Sequence, residues 1–212
     1  MAHIYLIRHG EVEGNSGARR TFVGWGDKPL TARGEAQAQA VAERLQNENL
    51  QAVYASDLQR ACRTAEYIAR PHGVTVQCDA ALREINFGAW EGLSEAEILA
   101  DWQKEWQRRQ SDPVQMGAPN GESLNDLWAR WQPTWQRIVQ EHQGQTVAIV
   151  SHNSALRVLL CHLLDAPFSS YRRINMSNCG LTRVEIKAEA AAGTQPPIMV
   201  HYINETGHLK NI

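Results

Sequence analysis

Short apolar runs alternate along the chain with longer stretches in which apolar residues return every three or four positions. The runs at 4–7, 52–55 and 146–150 are almost wholly apolar, which predicts strands covered on both faces of a sheet. Residues 74–78 read as a further strand. Helical spacing is found at 31–48, where Ala36, Ala40, Val41 and Leu45 share a stripe, and again at 57–69, 94–109, 123–141 and 154–164. Ser94 followed by Glu97 fits a capping box at the start of one of these helices. Two late β-like runs, 182–186 and 199–203, flank an Ala/Gly/Pro-rich loop. Strands alternating with helices predict an α/β fold, a three-layer α/β/α sandwich on a mostly parallel sheet. No internal repeat or linker interrupts residues 1–212, so one domain is expected.

Tryptophan is unusually frequent, with seven against three phenylalanines. Leu124, Trp128, Trp131, Trp135 and Ile138 fall on one face of the 123–141 helix, and Trp102 and Trp106 stand four apart on the helix before it. The spacing alone accounts for them as packing residues, with the two helices joined by aromatic contact. A stacking wall over a binding mouth is the sharper alternative. Apolar surface left over on this pair could serve a homodimer.

Composition narrows the partners. A net charge of −2 leaves no basic footprint for nucleic acid. No apolar run approaches the roughly 20 residues that cross a bilayer, so no membrane partner is expected. The chain enters a strand at once, without the apolar core of a secretory signal. Cys62, Cys78, Cys161 and Cys179 lack metal-ligand spacing and read as buried free thiols. Together these features point to a reduced, cytoplasmic protein.

The candidate chemistry gathers where the apolar runs end. Directly after 4–7 comes Arg8-His9-Gly10-Glu11-Val12-Glu13-Gly14-Asn15. Arg8 offers a planar donor fork suited to phosphate. Gly10 lets backbone approach a ligand closely, and Asn15 adds a neutral donor. His9 can act as base, acid or nucleophile near neutral pH. After 52–55, Ser56 is placed to cap a helix, and Arg60 lies near that helix's positive end, a good place for an anion. After 74–78, Glu84 stands among apolar residues, a setting that suits a proton donor. Arg83 beside it pulls the other way, and a salt bridge is the plain alternative. After 146–150 comes Ser151-His152-Asn153, a second histidine just ahead of a helix.

In open α/β sheets the ligand crevice lies beyond the carboxyl ends of the strands. Arg8, His9, Arg60, Glu84 and His152 should therefore converge on one rim. Two histidines and a glutamate could bind a metal, yet no HExxH or similar short spacing is present, and the arginines disfavour a cation. Phosphate-loop glycine motifs and the GxSxG elbow are missing as well.

Taken in order, several segments resemble the histidine phosphatase superfamily, the phosphoglycerate-mutase-like group. They are Arg8-His9-Gly10-Glu11 with Asn15, Ser56-Asp57-Leu58 with Arg60-Ala61 and Thr64-Ala65, Glu84 with Phe87-Gly88-x-Trp90-Glu91-Gly92, Gly121-Glu122-Ser123, and Ser151-His152. The resemblance runs from residue 4 to about 160. It implies that His9 is the nucleophile and becomes phosphohistidine. Arg8, Asn15, Arg60 and His152 would bind the phosphoryl oxygens, with Gly24 and Asn153 also at the substrate. Glu84 would protonate the leaving oxygen and then activate water. No metal or other cofactor is implied, and the partner is a small phosphorylated metabolite.

Within the group, the Phe87–Gly92 segment is similar to the phosphatase branch. Val23 stands before Gly24-Trp25, where mutases usually carry a small hydroxyl residue. The implied activity is a metal-independent phosphomonoesterase, with α-ribazole 5′-phosphate, phosphoserine or a broad range of esters as candidate substrates. A cofactor-dependent phosphoglycerate mutase is the alternative. A catalytically silent phosphate-binding module would be expected to have lost His9 or Glu84. Asn153 departs from the glycine usual in relatives. The tail 201–209 reads as a last strand, or as lining for the site's mouth.

Overall fold

Successive residues of the central strands enter two different cores, which is why these strands read as unbroken apolar runs. The computed structural model describes residues 1–14, 20–187, 197–210 and 212. Six strands, β1 (Ala2–Arg8), β2 (Leu50–Ala55), β3 (Val76–Cys78), β4 (Thr146–Ser151), β5 (Leu181–Ile186) and β6 (Ile198–Glu205), form one sheet in the order β3-β2-β4-β1-β5-β6. β3, β2, β4 and β1 are parallel, β5 runs against β1, and β6 runs against β5. Ile4, Leu6, Tyr54, Val147 and Ile149 face the core beneath α5 (Leu124–Glu141) and α6 (Asn153–Leu163). Tyr5, Ile7, Val53, Ala148 and Val150 face the opposite core beneath α1 (Ala32–Leu45) and α2 (Gln59–Ala69). The architecture is the expected three-layer α/β/α sandwich.

β4 lies between β2 and β1 although it comes later in the chain. The segment after β1 turns to the α1 layer, whereas the segment after β4 turns to the α6 layer. This divergence opens a crevice at the carboxyl ends of two adjacent strands.

Several expectations need correction. The single helix expected at 94–109 is two, α3 (Glu95–Asp101) and α4 (Gln103–Ser111), because Trp102 leaves helical geometry (φ −131°, ψ 32°). The Ser94–Glu97 capping box is formed as expected. The buried stripe of α1 is carried by Ala38, Val41, Ala42 and Leu45, not by Ala36 and Ala40. β3 begins at Val76, two residues later than expected. Cys78 is exposed rather than buried, and its thiol lies 2.8 Å from that of half-buried Cys62.

The tryptophans pack, but not as one helix pair. Trp106 of α4 meets Phe22 (5.7 Å between centroids) and Trp90 (5.5 Å). Trp128 of α5 instead meets His162 of α6 (4.4 Å) and Phe168. Among the described residues every tryptophan is buried or half-buried, and Leu99 of α3 is an exposed large apolar residue of this helix pair. No helix among them is long and apolar enough to cross a membrane.

Candidate active site

The parallel pairing of β1 with β4 sets the two histidines side by side. Arg8 pairs with Ser151 at the end of the strands, and the His9 N–H donates to the Ser151 carbonyl (3.0 Å), carrying the ladder one residue further. The His9 and His152 rings end 4.9 Å apart. Asn178 donates to the His9 carbonyl (2.9 Å) and the Cys179 N–H to that of Arg8 (2.8 Å), so the chain entering β5 fixes the same corner.

His9 Nδ1 lies 2.7 Å from the Gly10 carbonyl. A carbonyl only accepts, so Nδ1 carries the hydrogen and the lone pair sits on Nε2. Burial holds the ring's pKa well below the ordinary histidine value, and the Arg60 and Arg8 guanidiniums lower it further. The result is a neutral imidazole whose basic nitrogen has no partner among the described residues. His152 is fully buried and is also kept neutral, first by burial and then by Arg60, His9, Arg8 and Arg130. Neither of its ring nitrogens has a partner among the described residues.

These two histidines make stability sensitive to acid. In the unfolded chain each takes up a proton near its ordinary pKa of 6.5, whereas in the fold both stay neutral far below it. The unfolded state therefore binds more protons, and stability falls as pH drops below that value. Each histidine contributes up to roughly 1.4 kcal/mol per pH unit. Urea midpoints measured from neutral pH downward should decline, and less steeply in His152→Asn. Equal slopes in the two proteins would show that His152 is protonated in the fold.

Arg8 and Arg60 flank the pair. Arg60, the second residue of α2, is 1% exposed; its guanidinium donates to the carbonyls of Gly26 (2.7 Å) and Gly24 (2.6 Å). Its Nε has no partner among the described residues. Arg8 donates to the Met176 carbonyl (2.8 Å), with its own Nε unpartnered and its pKa lowered by burial to about 10. With five N–H donors each, both guanidiniums keep donors for an anion.

Gly24 serves this arrangement through its backbone, at φ +48°, a conformation that favours glycine. The loop around it hangs on Glu91, which accepts from the N–H groups of Trp25 and Gly26 (2.7 Å each). Gly10 is needed for a reason other than ligand approach: a side chain there would strike the Gly34 backbone of α1. Ser56 does not cap α2. Its hydroxyl accepts from Leu58, which itself occupies the N-cap position.

Glu84 is buried, and its carboxylate meets the first turn of α6. It accepts from the N–H groups of Ile85 (2.9 Å), Ser154 (3.1 Å) and Ala155 (3.2 Å). Arg83 does not pair with it. That guanidinium is bound by Asp57 (2.7 and 2.6 Å) and lies over Trp25. Arg130, pinned by Glu122, donates to the Glu84 carbonyl (3.0 Å), and Trp25 Nε1 donates to it as well (2.7 Å). Glu122 also accepts from the Asn86 N–H (2.9 Å), so Gly121-Glu122-Ser123 acts by shaping the loop that carries Glu84.

A cavity of about 600 Å3 opens here, lined by Arg8, His9, Arg60, Glu84, Gly24 and Asn153, with the His152 ring 4.9 Å from that of His9. Asn15 lies outside the described residues. Trp106 lines the cavity as well as packing against Phe22 and Trp90. The tail forms β6 and a short turn, and its Thr206 and Leu209 line an adjoining cavity that shares Arg8 and Asn153 with the first. No cluster of three or more His, Cys, Asp or Glu gathers among the described residues.

Arg20, Arg109, Arg157 and Arg172 also line the main cavity and were not singled out from sequence. Arg157 falls four residues after Asn153, on the same face of α6, the one available signal.

Residues 4–194 match the histidine phosphatase superfamily, branch 1. The chain is 36% identical over 186 residues to the "Probable phosphoglycerate mutase GpmB" of Salmonella arizonae, covering 87% of this chain and 85% of that one. Among solved structures it resembles Bacillus stearothermophilus YhfR, with a TM-score of 0.87, 29% identity, and coverage of 99% of this chain and 100% of that one. It also resembles the α-ribazole phosphatase of Shigella flexneri, with a TM-score of 0.84, 25% identity and 96% coverage of both chains. With its fold, its paired strand-end histidines and this match over most of its length, the chain belongs to the histidine phosphatase superfamily.

Proposed function

We propose that the protein is a metal-independent phosphomonoesterase that passes the phosphoryl group of a small ester first to His9 and then to water. The observation that carries this reading is His9 itself: a neutral ring whose Nε2 lone pair is uncommitted, held between two guanidiniums. Nε2 attacks phosphorus as the ester oxygen leaves, and Glu84, protonated in the complex with the ester, gives that oxygen its proton and becomes the carboxylate. Arg8, Arg60 and the His152 ring stabilise charge on the phosphoryl oxygens. In the second half, the Glu84 carboxylate takes a proton from water, whose oxygen displaces His9 and releases phosphate. Positive charge comes from arginine, so the scheme needs no metal.

The likeness to an α-ribazole phosphatase supports hydrolysis, and an α-ribazole 5′-phosphate-like or phosphoserine-like ester is among the candidates. The name of the Salmonella relative favours a second reading, a mutase that returns the phosphoryl group to a bound acid. A panel of phosphate monoesters, run with and without chelator, tests the proposal together with acid quenching and peptide mass spectrometry. Chelator-insensitive release of phosphate is expected, with transient phosphate on the His9 peptide. Turnover only in the presence of a bisphosphorylated primer would establish the mutase instead.

A further inference from the structure

The arginines of the cavity are unlike those elsewhere in the molecule. Away from it, the half-buried arginines are paired with carboxylates: Arg83 with Asp57, Arg130 with Glu122, and Arg183 with Glu185. Inside it, Arg8, Arg60, Arg109 and Arg157 are buried or half-buried, and among the described residues none has a carboxylate within ion-pair distance. Leaving a desolvated cation unpaired is costly, so a site that keeps four of them is built to receive negative charge from outside.

Arg8 and Arg60 account for the group on His9, since theirs are the charges that bear on both histidine rings. Arg109 and Arg157 line the same cavity as Tyr171 and Arg172. Arg109, in the last turn of α4, is 3% exposed. Its guanidinium lies over the Phe87 ring (5.4 Å to the centroid), and its Nε has no partner among the described residues. Burial lowers its pKa, with Tyr171 opposing and Arg172 adding to the drop. Arg157 of α6 has an unpartnered Nε of its own, and Arg172 donates to the Tyr171 hydroxyl (3.0 Å).

We infer that Arg109, Arg157 and Arg172, which line this cavity with Tyr171, form a second anion-binding subsite, so that the preferred substrate is a phosphate ester carrying a further carboxylate or phosphate. The inference rests on the phosphomonoesterase reading and narrows its substrate class. A bare phosphate monoester fills the His9 end and leaves these guanidiniums unanswered. An ester with a second anionic group answers both ends, and that group is held by forked donors, of which Arg109 is buried, Arg157 half-buried and Arg172 exposed.

Matched substrate pairs test this. 3-Phosphoglycerate and glycerol 3-phosphate differ at the far end by a carboxylate; fructose 1,6-bisphosphate and fructose 6-phosphate differ by a phosphate. In the wild-type protein, kcat/KM should favour the anion-bearing member of at least one pair by tenfold or more. The pair that discriminates identifies the anion. Arg109→Met and Arg157→Met should each shrink that ratio at least fivefold, and the lysine variants should restore part of it. Ratios near one in both pairs, or ratios unchanged in the methionine variants, would overturn the second subsite. Turnover of p-nitrophenyl phosphate is measured alongside. If it proceeds without discrimination between the pairs, only the subsite falls; if nothing is hydrolysed, the phosphatase reading falls. In that event calorimetric binding of the same pairs still reads the subsite.

Discussion

His9→Ala is expected to lower kcat for p-nitrophenyl phosphate by at least about 10³-fold, because it removes the atom that receives the phosphoryl group. The imidazole is fixed at Nδ1 by the Gly10 carbonyl and kept unprotonated by burial and by Arg60 and Arg8. Nothing else described in the cavity offers an uncommitted lone pair between those guanidiniums. His152 stands 4.9 Å away between ring centroids and is fully buried, and in this scheme it donates a ring N–H to the phosphoryl oxygens rather than attacking. The variant should bind phosphate still, since Arg8 and Arg60 take their positions from backbone carbonyls rather than from His9. Steady-state assay with a folding check by circular dichroism decides the matter. Activity within tenfold of wild type would remove His9 from the chemistry.

Glu84→Gln should separate substrates by their leaving groups. An alkoxide departs poorly unless it is protonated, so hydrolysis of glycerol 3-phosphate is expected to fall about 10²–10⁴-fold. p-Nitrophenolate departs without a proton, and its release should fall far less. The amide keeps the size of the carboxylate and can still accept through one oxygen from the first turn of α6, where Ser154 and Ala155 now donate. A second effect belongs to the return half-reaction, in which glutamine cannot take a proton from water. The phosphoenzyme should accumulate on p-nitrophenyl phosphate and show as a burst of nitrophenol. Equal losses on both substrates, with no burst, would mean that Glu84 only shapes the pocket.

Much of this was legible along the chain. Strands covered on both faces leave unbroken apolar runs, so β1, β2 and β4 stand out, and the residues after them are the ones the fold brings together. The Ser94–Glu97 box declared a helix start through a purely local exchange of hydrogen bonds. Errors arose where local pattern and packing disagree. Trp102 breaks a helix that its spacing favours. Arg83 is next to Glu84 in sequence, yet Asp57, on the segment after β2, takes its guanidinium. Arg109 and Arg157 look like ordinary solvent-facing positions of their helices, and their burial follows only from where α4 and α6 lie.

The octapeptide after β1 by itself pointed to an anionic ligand, because a forked cation beside an imidazole and a glycine is a feature of local chemistry. The carboxyl-end rim was fixed as well, since alternating strands and helices admit few arrangements. Tertiary structure alone decided which nitrogen of His9 is free, because that depends on a carbonyl lying 2.7 Å away in space. Which arginines stay unpaired was likewise decided there, since a charge meets or misses its partner through distance and burial, and neither is written in the order of residues.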